Sequence, residues 1–299
     1  MKTAYRKNIG TGEIFIHLFF IIISITFIIP MAAIISISLS NEFDIVEYGY
    51  KLVPLEFDLS AYRFILKSPE TILNAYKVTI IITVAGTLIY LLIASMCAYA
   101  LSRTGFKYRR IITFYLFFTM LFNGGLVPDY ILMTRYLNLK NTYAALIIPI
   151  LRNVWYLFLM RTFFQQIPSS IIESAKIDGA GEFRTYWNII IPLSKPVLAT
   201  VGLLQSLDFW NSWYNALLYI TDKNLYPLQY MLQVMLRNVQ EILRNMQSGV
   251  AILSMDLANI PTESTRMAMC VLAVGPMLFV FPFFQKYFVK GLTVGSIKE

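Results

Sequence analysis

Six stretches of this 299-residue chain are long and apolar enough to cross a bilayer, and no other feature restricts its fold as much. A hydrocarbon core of about 30 Å takes roughly 20 apolar residues at the helical rise. Spans are therefore expected at residues 14–39, 78–101, 111–130, 141–160, 196–220 and 267–285. The second and sixth carry no charge. The first holds only His17, the third reaches Asp129 at its end, the fourth holds Arg152 and the fifth Asp208. Composition agrees, with 57% hydrophobic and only 14% charged residues, where a soluble domain carries about 25% charged. Lipid must be the solvent for much of the surface. Backbone groups in lipid need internal partners, so the expected fold class is an all-α integral membrane protein with six transmembrane helices in one domain, residues 1–299.

Lys2, Arg6 and Lys7 before the first apolar run resemble the start of a secretory signal. The run is longer than a signal core and five more follow, so an uncleaved first helix is the simpler reading. Cys97 and Cys270 lie in expected spans without metal-ligand spacing, and read as small apolar residues. His17, the only histidine, reads as structural.

Orientation follows from basic residues. With both termini cytoplasmic, more than half of the 25 Lys and Arg fall on the shorter inside segments, while most of the 17 acids fall outside. That is the positive-inside pattern. A pI near 9.3 then reflects membrane orientation, and no nucleic-acid partner is expected. Residues 40–77 and 221–266 become external loops. In the second, Leu225, Leu228, Leu232, Met235 and Leu236 recur at helical spacing. This segment reads either as a scaffold or re-entrant helix or as a docking or gating surface.

Residues 161–195 form the longest cytoplasmic loop. Ser170 and Glu173 have capping-box spacing, which predicts a short helix beginning at Ile171. Gly179 is suited to end it in the left-handed conformation. A second short helix is expected from Glu182 toward Ile190, stopping before Pro192 because proline disfavours helical dihedrals in the residue before it. Spacing alone also allows an ordinary helix-turn-helix connection.

The segment ESAKIDGAGEFRTYWNIIIPLSKP, residues 173–196, resembles the EAA loop of permease subunits in binding-protein-dependent ABC importers. Glu173, Ser174, Ala175, Gly179, Ile189, Ile191 and Pro192 match or mildly depart from that pattern, Ser174 and Ile191 being the departures. Residues 121–132, 160–168, 208–220 and 285–299 are similar to carbohydrate-uptake permeases of the maltose type, and in particular to the lipoprotein-associated sugar permease group of Gram-positive bacteria. The resemblance implies a non-enzymatic subunit of a bacterial cell membrane importer of sugar or oligosaccharide. It also implies a second homologous permease, two ATP-binding subunits and an external solute-binding protein as partners. Glu173, Ser174, Ala175, Asp178, Gly179, Ala180, Ile189 and Pro192 would then couple to the ATPase. The chain has no GxxxxGKS/T phosphate loop, so ATP and Mg are expected on the partner ATPases, and no cofactor or metal on this chain.

Ionisable groups in lipid are costly, so Arg152 and Asp208 should face protein or water, and pairing with each other is one reading. Asp208, Asn211, Ser212 and Asn215 share one helical face by spacing, with Trp210, Trp213 and Tyr214 interleaved. Amides and carboxylates suit sugar hydroxyls, and aromatic rings suit sugar C–H faces. This face, with Arg152 of the fourth span and Asn123 of the third, is one candidate substrate path, and Gly124 and Gly125 after Asn123 would allow a break or a close approach there. The aromatics could instead anchor the membrane interface while the polar groups pack between helices. A secondary transporter or channel would need an ion relay, for which one Arg and one Asp are thin material. An importer of a non-sugar solute is a further alternative. An intramembrane enzyme lacks HExxH and GxSxG motifs.

Overall fold

The computed structural model describes residues 11–67, 69–247 and 262–293, and over these the chain is helical apart from a single β-bridge, Ser40 to Phe57. The chain divides into two compact units. One comprises residues 1–69 and 238–274, the other residues 70–237 and 275–299. Lys2, Arg6, Lys7 and the segment 294–299 of the expected cytoplasmic termini lie outside the described residues, as does part of the loop 221–266.

In the first unit, α1 (Thr11–Ser38) carries the first span. None of the apolar window in Gly12–Ser38 is buried by protein. Phe15 and Phe27 are 71% and 74% exposed, an arrangement that only a lipid surround makes favourable. Pro30 sits within α1. The connection after it folds back through α2 (Glu42–Tyr48) and α3 (Ser60–Ile65), tied by the Ser38 and Tyr62 hydroxyls, 2.9 Å apart.

Glu42 caps a helix more than 200 residues away in sequence. One carboxylate oxygen accepts from the Thr262 hydroxyl (2.7 Å) and the Glu263 amide (2.9 Å). The other accepts from the Ser264 amide (3.0 Å) and hydroxyl (2.6 Å). These donors open the last helix, which starts at Glu263, and a carboxylate at the positive end of a helix satisfies amides that have no partner in their own turn.

The second unit begins with α4 (Pro69–Ser102), a 34-residue helix extending beyond the expected 78–101 at its start. The third span is not one helix. α5 (Arg109–Leu121) meets α6 (Leu126–Ile131) and the π turn Leu132–Tyr136 at 110°, and the break falls at Asn123–Gly125. Gly125 has φ +91°, which L side chains rarely adopt, and its amide donates to Asn123 Oδ1 at 3.0 Å. The fourth span is also broken. α7 (Tyr143–Ile147) with the 3-10 turn Ile148–Arg152 bends by 53° into α8 (Val154–Gln165).

Helices α9 (Ser169–Ile177), α10 (Glu182–Thr185) and α11 (Ile191–Leu193) follow. An 80° bend at Ser194 separates the stretch Glu182–Leu193 from α12 (Lys195–Trp210). α13 (Tyr214–Tyr219) and α14 (Leu228–Gln247) come next, and α15 (Glu263–Thr293) closes the described chain. Among the described residues, three helices can cross a membrane by length and composition, or up to six if each bent pair makes one span. The helical spacing in 221–266 corresponds to α14, with Leu228, Met231 and Leu232 buried.

Two apolar clusters hold this second unit. One joins Tyr90, Ala94 and Ala98 of α4 to Leu157, Met160 and Phe164 of α8, Ile172 of α9 and Val197 and Val201 of α12. The other joins Val78 and Ile82 of α4 to Leu146 of α7, Ala216 and Tyr219 of α13 and Tyr230 of α14. Helices approach closely where side chains are small. A Cβ on Gly86 would stand 2.3 Å from the ring of Phe209, which is fully buried. Cys97 is half-buried as a small apolar residue should be, but Cys270 is exposed.

Candidate functional site

The elbow between α9 and α10 is built from short-range rules. Pro168, with ψ 132°, precedes Ser169 and serves as the N-cap, so the helix opens two residues before Ile171. The expected capping box does not form: Ser170 already has helical dihedrals, and a capping residue needs a non-helical backbone. At the other end, the Ala180 amide donates to the Ala175 carbonyl (2.8 Å) and the Gly179 amide to the Lys176 carbonyl (3.0 Å). With Gly179 at φ +75°, this is a Schellman termination. A Cβ at Gly179 would meet nothing within 4 Å, so its constraint is backbone strain and not internal crowding.

Beyond the elbow the structure departs from a helix that stops before Pro192. The Ile191 amide bonds to the Tyr186 carbonyl across a π turn, Tyr186–Ile190, and Ile191 keeps helical dihedrals (φ −59°, ψ −48°). Proline lacks an amide and crowds the carbonyl one turn back. The wider π turn accommodates that mismatch, so the chain stays helical through Pro192 to Leu193.

Sequence reasoning missed what fastens the elbow to α4. The Tyr186 hydroxyl lies 2.7 Å from Ser95 Oγ, and the Tyr99 hydroxyl donates to Glu182 at 2.6 Å. The same carboxylate pairs with Lys176 across the turn at 2.8 Å. Ile172 and Ala175 face inward, whereas Glu173, Ser174 and Asp178 are exposed. Ile177 is 86% exposed and Phe183 68%. An elbow held from behind therefore presents apolar and acidic side chains outward. Ala180 and Ile189 are half-exposed and Pro192 exposed along the same segment.

The polar residues of the bundle are arranged differently from the expectation. Arg152 does not pair with Asp208. It donates to Asp129 at 2.6 Å, joining the second arm of the broken third span to the bend of the fourth. Asp208 instead accepts hydrogen bonds from the side chains of Tyr156 and Asn153. The Tyr90 hydroxyl bonds the Asn153 carbonyl from the other side. Gln205, three residues before Asp208 on α12, is fully buried; its amide donates weakly to the Ile150 carbonyl at 3.4 Å. Its own oxygen has no hydrogen-bond partner among the described residues. Gln205, the one amide side chain in the run Val197–Leu207, was the available signal for this position.

The single polar face drawn through residues 208–215 is interrupted. α12 ends at Trp210, Asn211 terminates it, and a new helix begins at Tyr214, so the i, i+3, i+4, i+7 series does not share one axis. Trp210 is buried near Tyr76, whereas Trp213 and Tyr214 are exposed and in edge contact at 5.7 Å. Asn211 accepts from Gln229 of α14 at 3.4 Å, and Asn215 is half-buried at the start of α13. Asn123 stays at the break of the third span, engaged with Gly125. Among the described residues no cluster of His, Cys, Asp and Glu could hold a metal ion.

Spans that bend at glycine and 3-10 breaks beside polar side chains, with a fastened helical elbow, define a membrane transport subunit. Residues 90–294 match the model of the binding-protein-dependent transport system inner membrane component, and the chain belongs to that family. It is 36% identical over 287 residues to the polygalacturonan/rhamnogalacturonan transport system permease protein YtcP of Bacillus subtilis, covering 96% of this chain and 98% of that one. Identity to Bacillus subtilis protein LplC is 39% over 271 residues, with 91% and 89% covered. To the trehalose/maltose transport system permease protein MalG of Thermococcus litoralis it is 31%, with 93% and 94% covered. A crystal structure of a bacterial ABC transporter involved in the import of the acidic polysaccharide alginate contains a chain that superposes with TM-score 0.77 at 28% identity, over 96% of this chain and all of that one.

Proposed function

We propose that this chain is one of two homologous permeases forming the pore of an ATP-driven importer for an oligosaccharide, with ATP and Mg bound by two partner ATPase subunits. An external solute-binding protein delivers the sugar. The observation that carries the coupling half of this reading is the α9–α10 elbow. It is terminated by Gly179, fastened to α4 through Tyr186, Tyr99 and Glu182, and exposes Glu173, Ser174, Ile177 and Asp178. A rigid element passes on the closure of a facing ATPase as rigid-body motion, which a loose loop would absorb. The carbohydrate half is supported by relatives of full length whose names specify saccharide transport.

Within the bundle, Asp208 with Asn153 and Tyr156 offers a carboxylate, an amide and a phenol, and the exposed rings of Trp213 and Tyr214 follow Asp208 closely along the chain. These groups suit hydroxyls and C–H faces of a sugar. Orientation follows the basic residues, with the elbow and both termini cytoplasmic in a multi-pass bacterial cell membrane protein. The test is reconstitution of this chain with its partner permease, ATPase and binding protein in liposomes, followed by a screen of neutral and uronate oligosaccharides. One or a few should stimulate ATP hydrolysis several-fold. Stimulation by non-sugar solutes alone would replace the carbohydrate assignment while leaving the family intact.

A further inference from the structure

The second unit carries a basic notch that neither the coupling elbow nor the polar centre uses. A cavity of about 850 Å³ lies between the turn after α4, the start of α5 and the end of α8. Lys107, Arg109, Arg110 and Arg161 line it without an acidic residue. Among the described residues, none of the four has a carboxylate partner. Arg109 and Arg161 are half-buried, and the charge of Arg109 acts repulsively on Arg161. Arg161 is positioned by its Nε bond to the Leu101 carbonyl at 3.2 Å and by the Phe158 ring, 5.9 Å away. Two arginines in the first turn of α5 also oppose the positive end of that helix. Four gathered cations with no counter-charge are costly unless an anion joins them.

What lies beside the cations identifies the anion. Arg110, Phe114 and Phe117 follow one another at i, i+4 and i+7, so they share a face of α5. Phe114 and Phe117 are 68% and 49% exposed. Charge at the helix start passes directly into exposed aromatic surface along a run with no ionisable group before Tyr115 and no charged one before Asp129. A free anion would use only the cations. A phospholipid would use both, its phosphate among the arginines and its acyl chains along the phenylalanines.

We propose that this notch binds the phosphate of an anionic phospholipid, with Arg109, Arg110 and Arg161 as headgroup ligands and Phe114 and Phe117 as the acyl wall. The site needs only that α5 enters the membrane, so it stands independently of which solute is transported.

The test is native mass spectrometry of the delipidated permease complex given phosphatidylglycerol or phosphatidylcholine of identical chains, with glycerophosphate and inorganic phosphate as soluble anions. Phosphatidylglycerol should be retained preferentially, and each of Arg109→Gln, Arg110→Gln and Arg161→Gln should weaken that retention about fivefold, the effect of one surface cation. Arg109→Lys should keep much of the preference and Arg135→Gln all of it, which separates loss of a ligand from loss of fold. Equal retention of the two lipids, or glutamine variants that hold phosphatidylglycerol like the wild type, would overturn the proposal. Glycerophosphate bound as tightly as the lipid would assign the notch to a soluble anion. Loss of the ATPase from the glutamine variants, with lipid retention unchanged, would make it a protein interface.

Discussion

Gly179 shows how one residue can govern an assembly it does not line. At φ +75° a β-branched side chain is strained by its own backbone, at a cost of about 1–2 kcal/mol. Because the space around a Cβ there is open, the added bulk projects outward from the elbow. Gly179→Val should therefore abolish uptake and lower co-purification of the ATPase, while the protein still inserts and elutes as wild type. Gly179→Ala should show the same defects more weakly. Wild-type uptake and ATPase retention in the valine variant would reduce the elbow to a connector. Glu173 behaves differently from the sequence expectation. Without a capping box, Glu173→Ala should leave α9 as stable as before, so any transport defect would arise from its exposed carboxylate. Asp208 is exposed yet accepts two side-chain hydrogen bonds, so its charge is held in a defined position. Asp208→Asn preserves size and should lower uptake at least several-fold with assembly intact. Unchanged uptake kinetics would make it a packing residue.

At the scale of elements, the long-range cap formed by Glu42 is the contact most open to measurement. Burial raises the pKa of its carboxyl group, but the hydrogen bonds from Ser264, Glu263 and Thr262 outweigh it, and the group sits below its ordinary value of 4.5. A carboxylate whose folded pKa is depressed contributes stability that is fully present above the unfolded value and lost as pH falls through the folded one. Glu42→Gln should therefore destabilise the protein by about 1–2 kcal/mol at neutral pH, the usual size of a lost cap or charged hydrogen bond. The difference from wild type should shrink as pH falls below about 4.5, where the unfolded chain takes up a proton that the folded carboxylate resists. Thermal melts of both proteins across this range check it, and a pH-independent difference would show that shape and not charge makes the contact. Broken helices are the other feature of this scale. Gly124 and Gly125 after Asn123 allow either a break or a close approach, and the third span breaks there. Pro149 and Pro192 marked irregularity near the bend at Arg152–Asn153 and at Ile191 but not its form, because a stop, a bend and a π turn all relieve the same missing amide.

Over the whole molecule, topology joins the separate observations. Cysteines placed at Ser174 and Asn224, both exposed, should react with impermeant reagents from opposite sides of the membrane. Ser296, beyond the described residues, should label from the same side as Ser174. Labelling of Ser174 and Asn224 from one side would contradict six spans with a cytoplasmic elbow. The apolar runs, the turn at Gly179 and the helix in 228–247 were all legible beforehand, because each depends on residue type or on contacts within a few positions along the chain. The partners of charged side chains were not. Arg152 chose Asp129 over Asp208, and Tyr156 and Asn153 took Asp208, because a polar side chain bonds whatever the packed helices bring within about 3 Å. Hydropathy and local spacing determined that this chain must span a membrane in helices. Only tertiary packing decided how those helices bend, which polar groups meet between them, and that the elbow is fastened through Tyr186 and Glu182, since all three depend on residues far apart in sequence.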